Sequence, residues 1–230
     1  ILPTLSEIAP SASPTLSATS TLAKALWLYD SEPSVTHSNN VRLAHQADWL
    51  ASCLHQQPPT SDYHNALKLG YDVQNLTYPN WLLAFPIAKW LPPVIEPGAI
   101  IGTISFAIAK KLGLPKTCQI CAGTTDSIAA FLASGADKAG QAVTSLGSTL
   151  VLKLLSTQPV NDRLFGVYSH RLGDLWLAGG ASNTGGAVLK RFFSPDQLSS
   201  FSSQIQTALP CSLDYYPLNS PGERFPMNDP

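Results

Sequence analysis

Around residue 135 the periodicity of the sequence changes, and that break constrains the fold more than any other feature. Before it, apolar residues recur at helical spacing: Leu22, Leu26 and Tyr29 share one face, as do Leu43, Ala47, Leu50 and Leu54. After it, short strand-like runs alternate with glycine-bearing turns. Residues 141–146 and 149–155 flank Gly147-Ser148, and 167–170 and 175–178 flank Leu172-Gly173-Asp174. A chain of 230 residues with 44% hydrophobic side chains can bury one large core or two small ones. The pattern predicts two α/β lobes, 1–134 rich in helices and 135–230 rich in hairpins.

Within the first lobe, residues 1–20 are rich in Ser, Pro, Thr and Ala without a sustained period, which predicts extended loop. Ser20 is placed to cap a helix over 21–30, 32–40 reads as loop, and 41–54 reads as a second helix. Ser61 or Asp62 caps a short helix that Gly70 ends, and Pro79 opens another through Trp81 and Phe85. Then follow a strand over 100–104, a helix over 106–112 stopped by Gly113, a strand over 119–122, and a helix over 127–133 with Gly135 beyond its end. In the second lobe, 179–186 reads as a glycine-rich loop leading into a helix over 187–193.

Fourteen basic against fifteen acidic residues leave a net charge of −1, which offers no electrostatic footprint for nucleic acid or an anionic membrane. No apolar run approaches the roughly 18 residues a membrane span needs. Cys118 and Cys121 form a C-x-x-C, but no second pair exists and the five histidines show no matching ligand spacing. The expectation is a buried strand with free thiols, no metal site, and a reducing, cytoplasmic compartment. Met227 is the single methionine, and we expect the chain to be a piece of a longer protein.

Chemistry can sit in three places. Gly123-Thr124-Thr125-Asp126 lies where a strand ends and a helix begins, the position at which open α/β folds place ligands. Asp126 could accept a proton from a substrate hydroxyl or simply cap the helix. Ser145-Leu146-Gly147-Ser148-Thr149 is an ordinary hairpin or a cradle of amides for phosphate oxygens. The Gly179–Gly186 run suits close packing or approach by a phosphate or ribose, without being a P-loop or a dinucleotide fingerprint. Asp62-Tyr63-His64-Asn65 reads as a helix start, and neither G-x-S-x-G nor H-E-x-x-H occurs.

Taken in order, several of these segments resemble the FGGY family of carbohydrate kinases. The 21–30 segment, with Lys24 and Trp27 three apart, is similar to that family's first signature. Gln46–Leu50, Ser61–Ala66 and Ile101-Gly102-Thr103 resemble the middle of its first domain, Ala122–Asp126 the loop of its catalytic aspartate, and Ser145–Thr149 its second phosphate hairpin. Within the family, the Ala122–Ala133 stretch is most similar to a cyanobacterial and plant plastid group that phosphorylates D-ribulose. The resemblance implies two incomplete ribonuclease-H-like lobes of the actin and heat-shock ATPase superfamily, sugar-binding over 1–134 and nucleotide-binding over 135–230, with both ligands in the cleft between. It implies Asp126 as general base, Thr124, Thr125 and Ser127 beside the sugar, and Gly147, Ser148, Thr149, Gly180, Asn183 and Gly185 beside the nucleotide. ATP and Mg2+ are the implied cosubstrate and ion. The partners are small molecules, self-association into a homo-oligomer is compatible, and a plant source would imply the plastid stroma. Xylulose is the alternative sugar, and a non-catalytic nucleotide-binding module or a plain structural α/β domain the alternatives of another class. The family's opening Asp-x-Gly-Thr phosphate loop has no counterpart in this sequence, so the chain alone is expected to be inactive.

Overall fold

The computed structural model describes residues 1–32, 34, 40–205 and 215–229. They form two units, Ile1–Ala133 and Ser134–Pro230. Cys211 and most of the predicted 32–40 loop lie outside the described residues.

The first unit begins with α1 (Leu2–Ile8), where loop was expected. A single strong apolar residue anchors it: Leu5 is fully buried against Leu22, Leu26, Leu82, Ile87 and Trp90. One residue is too little to register as a periodicity. Helix α2 (Thr21–Ser31) starts as predicted, with the Ser20 hydroxyl accepting from the Ala23 amide at 3.1 Å. Helix α3 runs Gln46–His55, five residues shorter at its start than the apolar pattern suggests. The chain before it is held extended by Leu43, whose amide donates to the Trp90 carbonyl at 2.8 Å. Asp48 then fixes the helix start, accepting from the His45 amide and pairing with His45 Nδ1, each at 2.9 Å. As a result Asp48 is buried and Leu50, expected in the core, is exposed.

Strand β1 (Ser61–Asp62) pairs in parallel with β2 (Val94–Ile95), between which come α4 (Tyr63–Ala66), a 3-10 turn ended by Gly70, α5 (Asn80–Leu83) and a second 3-10 turn, Pro86–Trp90. Strand β3 (Ile100–Thr103) pairs antiparallel with β4 (Gln119–Cys121), on either side of α6 (Phe106–Leu112). Gly113 ends α6 with a φ of 68°, the left-handed turn its sequence predicts. A small second core of Ile104, Ala109 and Ile120 lies here, with Cys118 packed at its margin. The expected burial of β4 holds only for Ile120; Cys121 is exposed. Cys53, Cys118 and Cys121 are free thiols. After β4 comes α7 (Asp126–Leu132).

The second unit is a four-stranded antiparallel sheet in the order β5-β6-β8-β7: β5 (Ala142–Leu146), β6 (Leu150–Ser156), β7 (Tyr168–Leu172) and β8 (Leu175–Ser182). Leu146 opposes Leu150, so the first hairpin turns through the three residues 147–149 and not the two predicted. Leu172 opposes Leu175, and Gly173 at φ 60° makes the second turn. The predicted loop over 179–186 is half strand. Gly179 to Ser182 continue β8, paired through Leu150 opposite Ser182, because β6 is long enough to template them. Helices α8 (Gly186–Phe192) and α9 (Pro195–Ser202) follow.

The last described stretch, 215–229, is a strap across this sheet. Its backbone at Arg224 passes where Gly166 lacks a side chain, and the Phe225 ring fills the space that a Cβ on Gly180 would need. Glu223 and Asp229 close a small bridge, and Asn228 donates to the Leu164 carbonyl at 2.9 Å.

Candidate active site

The loop from β4 to α7 is fixed at both ends. Ala122 is tied by backbone bonds in both directions, to Ala99 at 2.8 Å and from Gly98 at 3.0 Å. Gly123 comes so close to α3 that a Cβ would sit 3.1 Å from that of Ala47, which accounts for a glycine there. The Thr124 hydroxyl lies 2.7 Å from His64 Nδ1. Thr125 is the N-cap of α7, its hydroxyl accepting from the Ile128 amide at 3.3 Å. That corrects the capping alternative for Asp126: the aspartate is the first helical residue, exposed, and its Oδ1 accepts from the Ser127 amide at 2.6 Å. Thr125 supplies the cap, and the Asp126 carboxylate satisfies one further first-turn amide, that of Ser127.

Beneath this loop lies a buried polar layer that spacing alone did not reveal. Asp62 is 0% exposed. Its Oδ1 accepts from the amides of His64 and Asn65 at 2.8 and 3.0 Å, and its Oδ2 from Asn65 Nδ2 at 2.6 Å. The predicted helix start at Asp62 is therefore correct, and it also sets the backbone of His64, which reaches Thr124. His45 Nδ1 faces both Asp48 Oδ2 at 2.9 Å and the Ser61 hydroxyl at 3.0 Å. Since one ring nitrogen meets both partners, this is not a nucleophile triad, in which the two nitrogens divide those roles.

In the second unit the two glycine-bearing segments meet. Gly186 donates to the Gly147 carbonyl at 2.7 Å, and Ala187 to the Ser148 carbonyl at 3.2 Å. A Cβ on Gly185 would collide with the Thr149 backbone and with the Ser148 carbonyl. The hairpin tip therefore turns its carbonyls toward α8. Its Gly147 amide is used by the Thr149 carbonyl at 3.0 Å, whereas the Ser148 and Thr149 amides donate to no described residue. Gly147 itself is open: nothing lies within 3.8 Å of a Cβ position there. Gly180 and Gly185 are buried, so the lack of a side chain at both is explained by packing inside this unit. Asn183 is engaged at both ends of its side-chain amide, donating from Nδ2 to the Gly222 carbonyl at 3.0 Å and accepting from Arg224 Nε at 3.0 Å. Each of these contacts spans some forty residues, beyond the reach of any local motif.

Among the described residues no group of three His, Cys, Asp or Glu side chains could hold a metal ion, and no helix is long and apolar enough to cross a membrane. Residues 5–133 match the model of the FGGY family of carbohydrate kinases, N-terminal domain. The chain belongs to this family. A xylulose kinase of Staphylococcus epidermidis is 25% identical over 173 residues, covering 74% of the chain and 34% of the relative. Among solved structures, a xyloylose kinase from Brucella ovis superimposes with a TM-score of 0.83 at 21% identity, over 99% of the chain and 48% of that protein. A gluconate kinase from Lactobacillus acidophilus gives 0.77 at 17% identity, over 99% and 47%. This FGGY chain thus has the fold of the actin, heat-shock ATPase and sugar kinase superfamily and spans about half the length of those solved kinases.

Proposed function

We propose that the full-length protein of this FGGY chain transfers the γ-phosphoryl group of ATP to a hydroxyl of a pentulose, with D-ribulose as the sugar and Asp126 as general base. The observation that carries the reading is Asp126 itself. It stands in the loop that resembles the family's catalytic loop, exposed, with the helix cap already supplied by Thr125. In the reaction the sugar oxygen attacks the γ-phosphorus, the bond to the β-phosphate oxygen breaks, ADP leaves, and the hydroxyl proton passes to Asp126. Such transfer depends on positioning and charge stabilisation more than on covalent chemistry. Thr124 and Ser127 flank the base as sugar-facing hydroxyls, while Thr125 is held to the helix. Ser148 and Thr149 offer amides to the terminal phosphates, with Gly147 leaving room. Gly180, Asn183 and Gly185 act behind them as the packed edge that holds that hairpin. A magnesium ion bound with the nucleotide would offset the charge of its phosphates.

The similarity of Ala122–Ala133 to the ribulose-phosphorylating group supports D-ribulose. The named xylulose kinase relative supports D-xylulose as the second reading. Measuring ATP consumption by the full-length protein with each pentulose and with glycerol tests both. D-Ribulose is expected to give the highest kcat/KM. A tenfold preference for D-xylulose, about 1.4 kcal/mol in the transition state, corrects the sugar and leaves the kinase. No sugar-dependent turnover with any acceptor would instead support a non-catalytic nucleotide-binding module.

A further inference from the structure

The second unit contains a buried carboxylate that the kinase chemistry leaves unused. Glu223 is 6% exposed and lies on the strap. Its Oε1 accepts from the Asn183 and Arg224 amides, both at 2.7 Å. Its Oε2 accepts from the Ser182 hydroxyl at 2.7 Å and from the Tyr216 hydroxyl. Four donors converge on one side chain, which is what a carboxylate needs to remain charged away from water. Two of those donors, Ser182 and Asn183, lie where β8 ends and the chain turns toward α8. The same Ser182 hydroxyl also accepts from the Thr184 amide at 3.1 Å. One residue further, Gly185 and Gly186 rest against the 147–149 tip. A short chain of contacts therefore runs from Glu223 through Ser182–Thr184 and Gly185-Gly186 to the Gly147 and Ser148 carbonyls.

We infer that Glu223 is a positioning residue for the nucleotide: by pinning the turn at Ser182–Thr184 it sets the place of Gly185-Gly186 and, through them, of the Ser148–Thr149 amides. The inference rests on the kinase reading for what those amides bind. Among the described residues Glu223 is joined to the tip through this backbone, so its loss is expected to act on ATP and not on the sugar.

The test is made on the full-length protein with three variants and with ATP as the probe. Glu223→Ala removes every acceptor. Glu223→Gln keeps Oε1 for the two amides and turns its NH2 toward two hydroxyls that can accept. Tyr216→Phe removes one exposed donor. ATP binding is measured by calorimetry without sugar, and KM separately for ATP and sugar. Hydrogen exchange is followed over 147–149 and 182–187. Glu223→Ala is expected to weaken ATP about tenfold or more, leave the sugar KM within about twofold, and speed exchange in both segments while 122–133 stays protected. Glu223→Gln should stay within about threefold of the wild type, and Tyr216→Phe should fall between.

Unchanged exchange at 147–149 in a folded Glu223→Ala variant overturns the inference, as does an equal loss for ATP and sugar. Should Glu223→Ala not fold, Tyr216→Phe decides: a selective rise in ATP KM supports the inference, and none overturns it. Wild-type protein that binds no ATP overturns the kinase reading and this inference together, whereas normal wild-type binding with unaffected variants overturns this inference alone.

Discussion

Asp126 and Glu223 are two carboxylates with opposite surroundings, and each predicts a different behaviour. Asp126 is exposed and its helix is capped by Thr125. Asp126→Asn should therefore keep the fold at a cost of no more than about 1 kcal/mol, while turnover of the full-length protein falls by about 100-fold or more, the scale of a lost general base. Near-normal turnover in that variant removes Asp126 from the chemistry. For Glu223, burial pushes the carboxyl up, but hydrogen bonds from Tyr216, the Asn183 and Arg224 amides and Ser182 outweigh it and hold it at about 2 against an ordinary 4.5. A folded value below the unfolded one gives stabilisation that is complete above the ordinary value and is lost as pH falls through the folded one. Acid-protease cleavage within the strap should accordingly rise between about pH 4.5 and 2. Glu223→Gln should abolish that step; an unaltered step in this variant assigns the titration to another group. The place of Asp126 at a strand-to-helix junction was legible in the sequence because strand, small residues and helix follow one another locally. Glu223 was not, since its partners Ser182 and Asn183 lie about forty residues away.

At the level of elements, the packing of the 147–149 hairpin on α8 separates two glycines that look alike in sequence. Gly185 is in extended backbone, so its requirement for glycine is steric: an added methyl meets the Thr149 backbone and the Ser148 carbonyl. Gly185→Ala should destabilise the protein by about 1–3 kcal/mol, the usual cost of overpacking, and raise the ATP KM. Gly147→Ala, with ordinary contact at 3.8 Å, should fold normally. Equal melting temperatures for the two variants would contradict this packing. The same comparison shows where sequence patterns stop. Helix α2, the stop at Gly113 and both hairpins follow from local rules of capping, left-handed glycine and alternation. The start of α3 and the length of β8 do not, because a distant carbonyl on Trp90 and a long neighbour in β6 decide them.

For the molecule as a whole, large apolar side chains stand exposed in both units: Phe106, Ile100 and Leu132 in the first, Leu146, Phe192 and Leu189 in the second. Scattered exposed apolar residues are ordinary, but this chain also spans only 47–48% of the solved kinases it resembles. Residues 1–230 alone are therefore predicted to bind an apolar dye strongly and to form no ADP in response to sugar. Sugar-dependent ADP formation by the isolated chain contradicts that expectation. The change of texture near residue 135 was readable because helical and alternating periods differ over long stretches, and the chain divides into its two units beside it.

The crossing of Phe225 over Gly180 has a genetic consequence. Because the aromatic ring occupies the volume of the absent methyl, the two positions cannot drift independently. A lineage that acquires alanine at 180 must move the ring at 225 aside or replace it with a smaller side chain. Glu223, two residues earlier on the same strap, accepts from Ser182 and Asn183, so the pair at 180 and 225 lies beside the anchor of the Ser182–Thr184 turn.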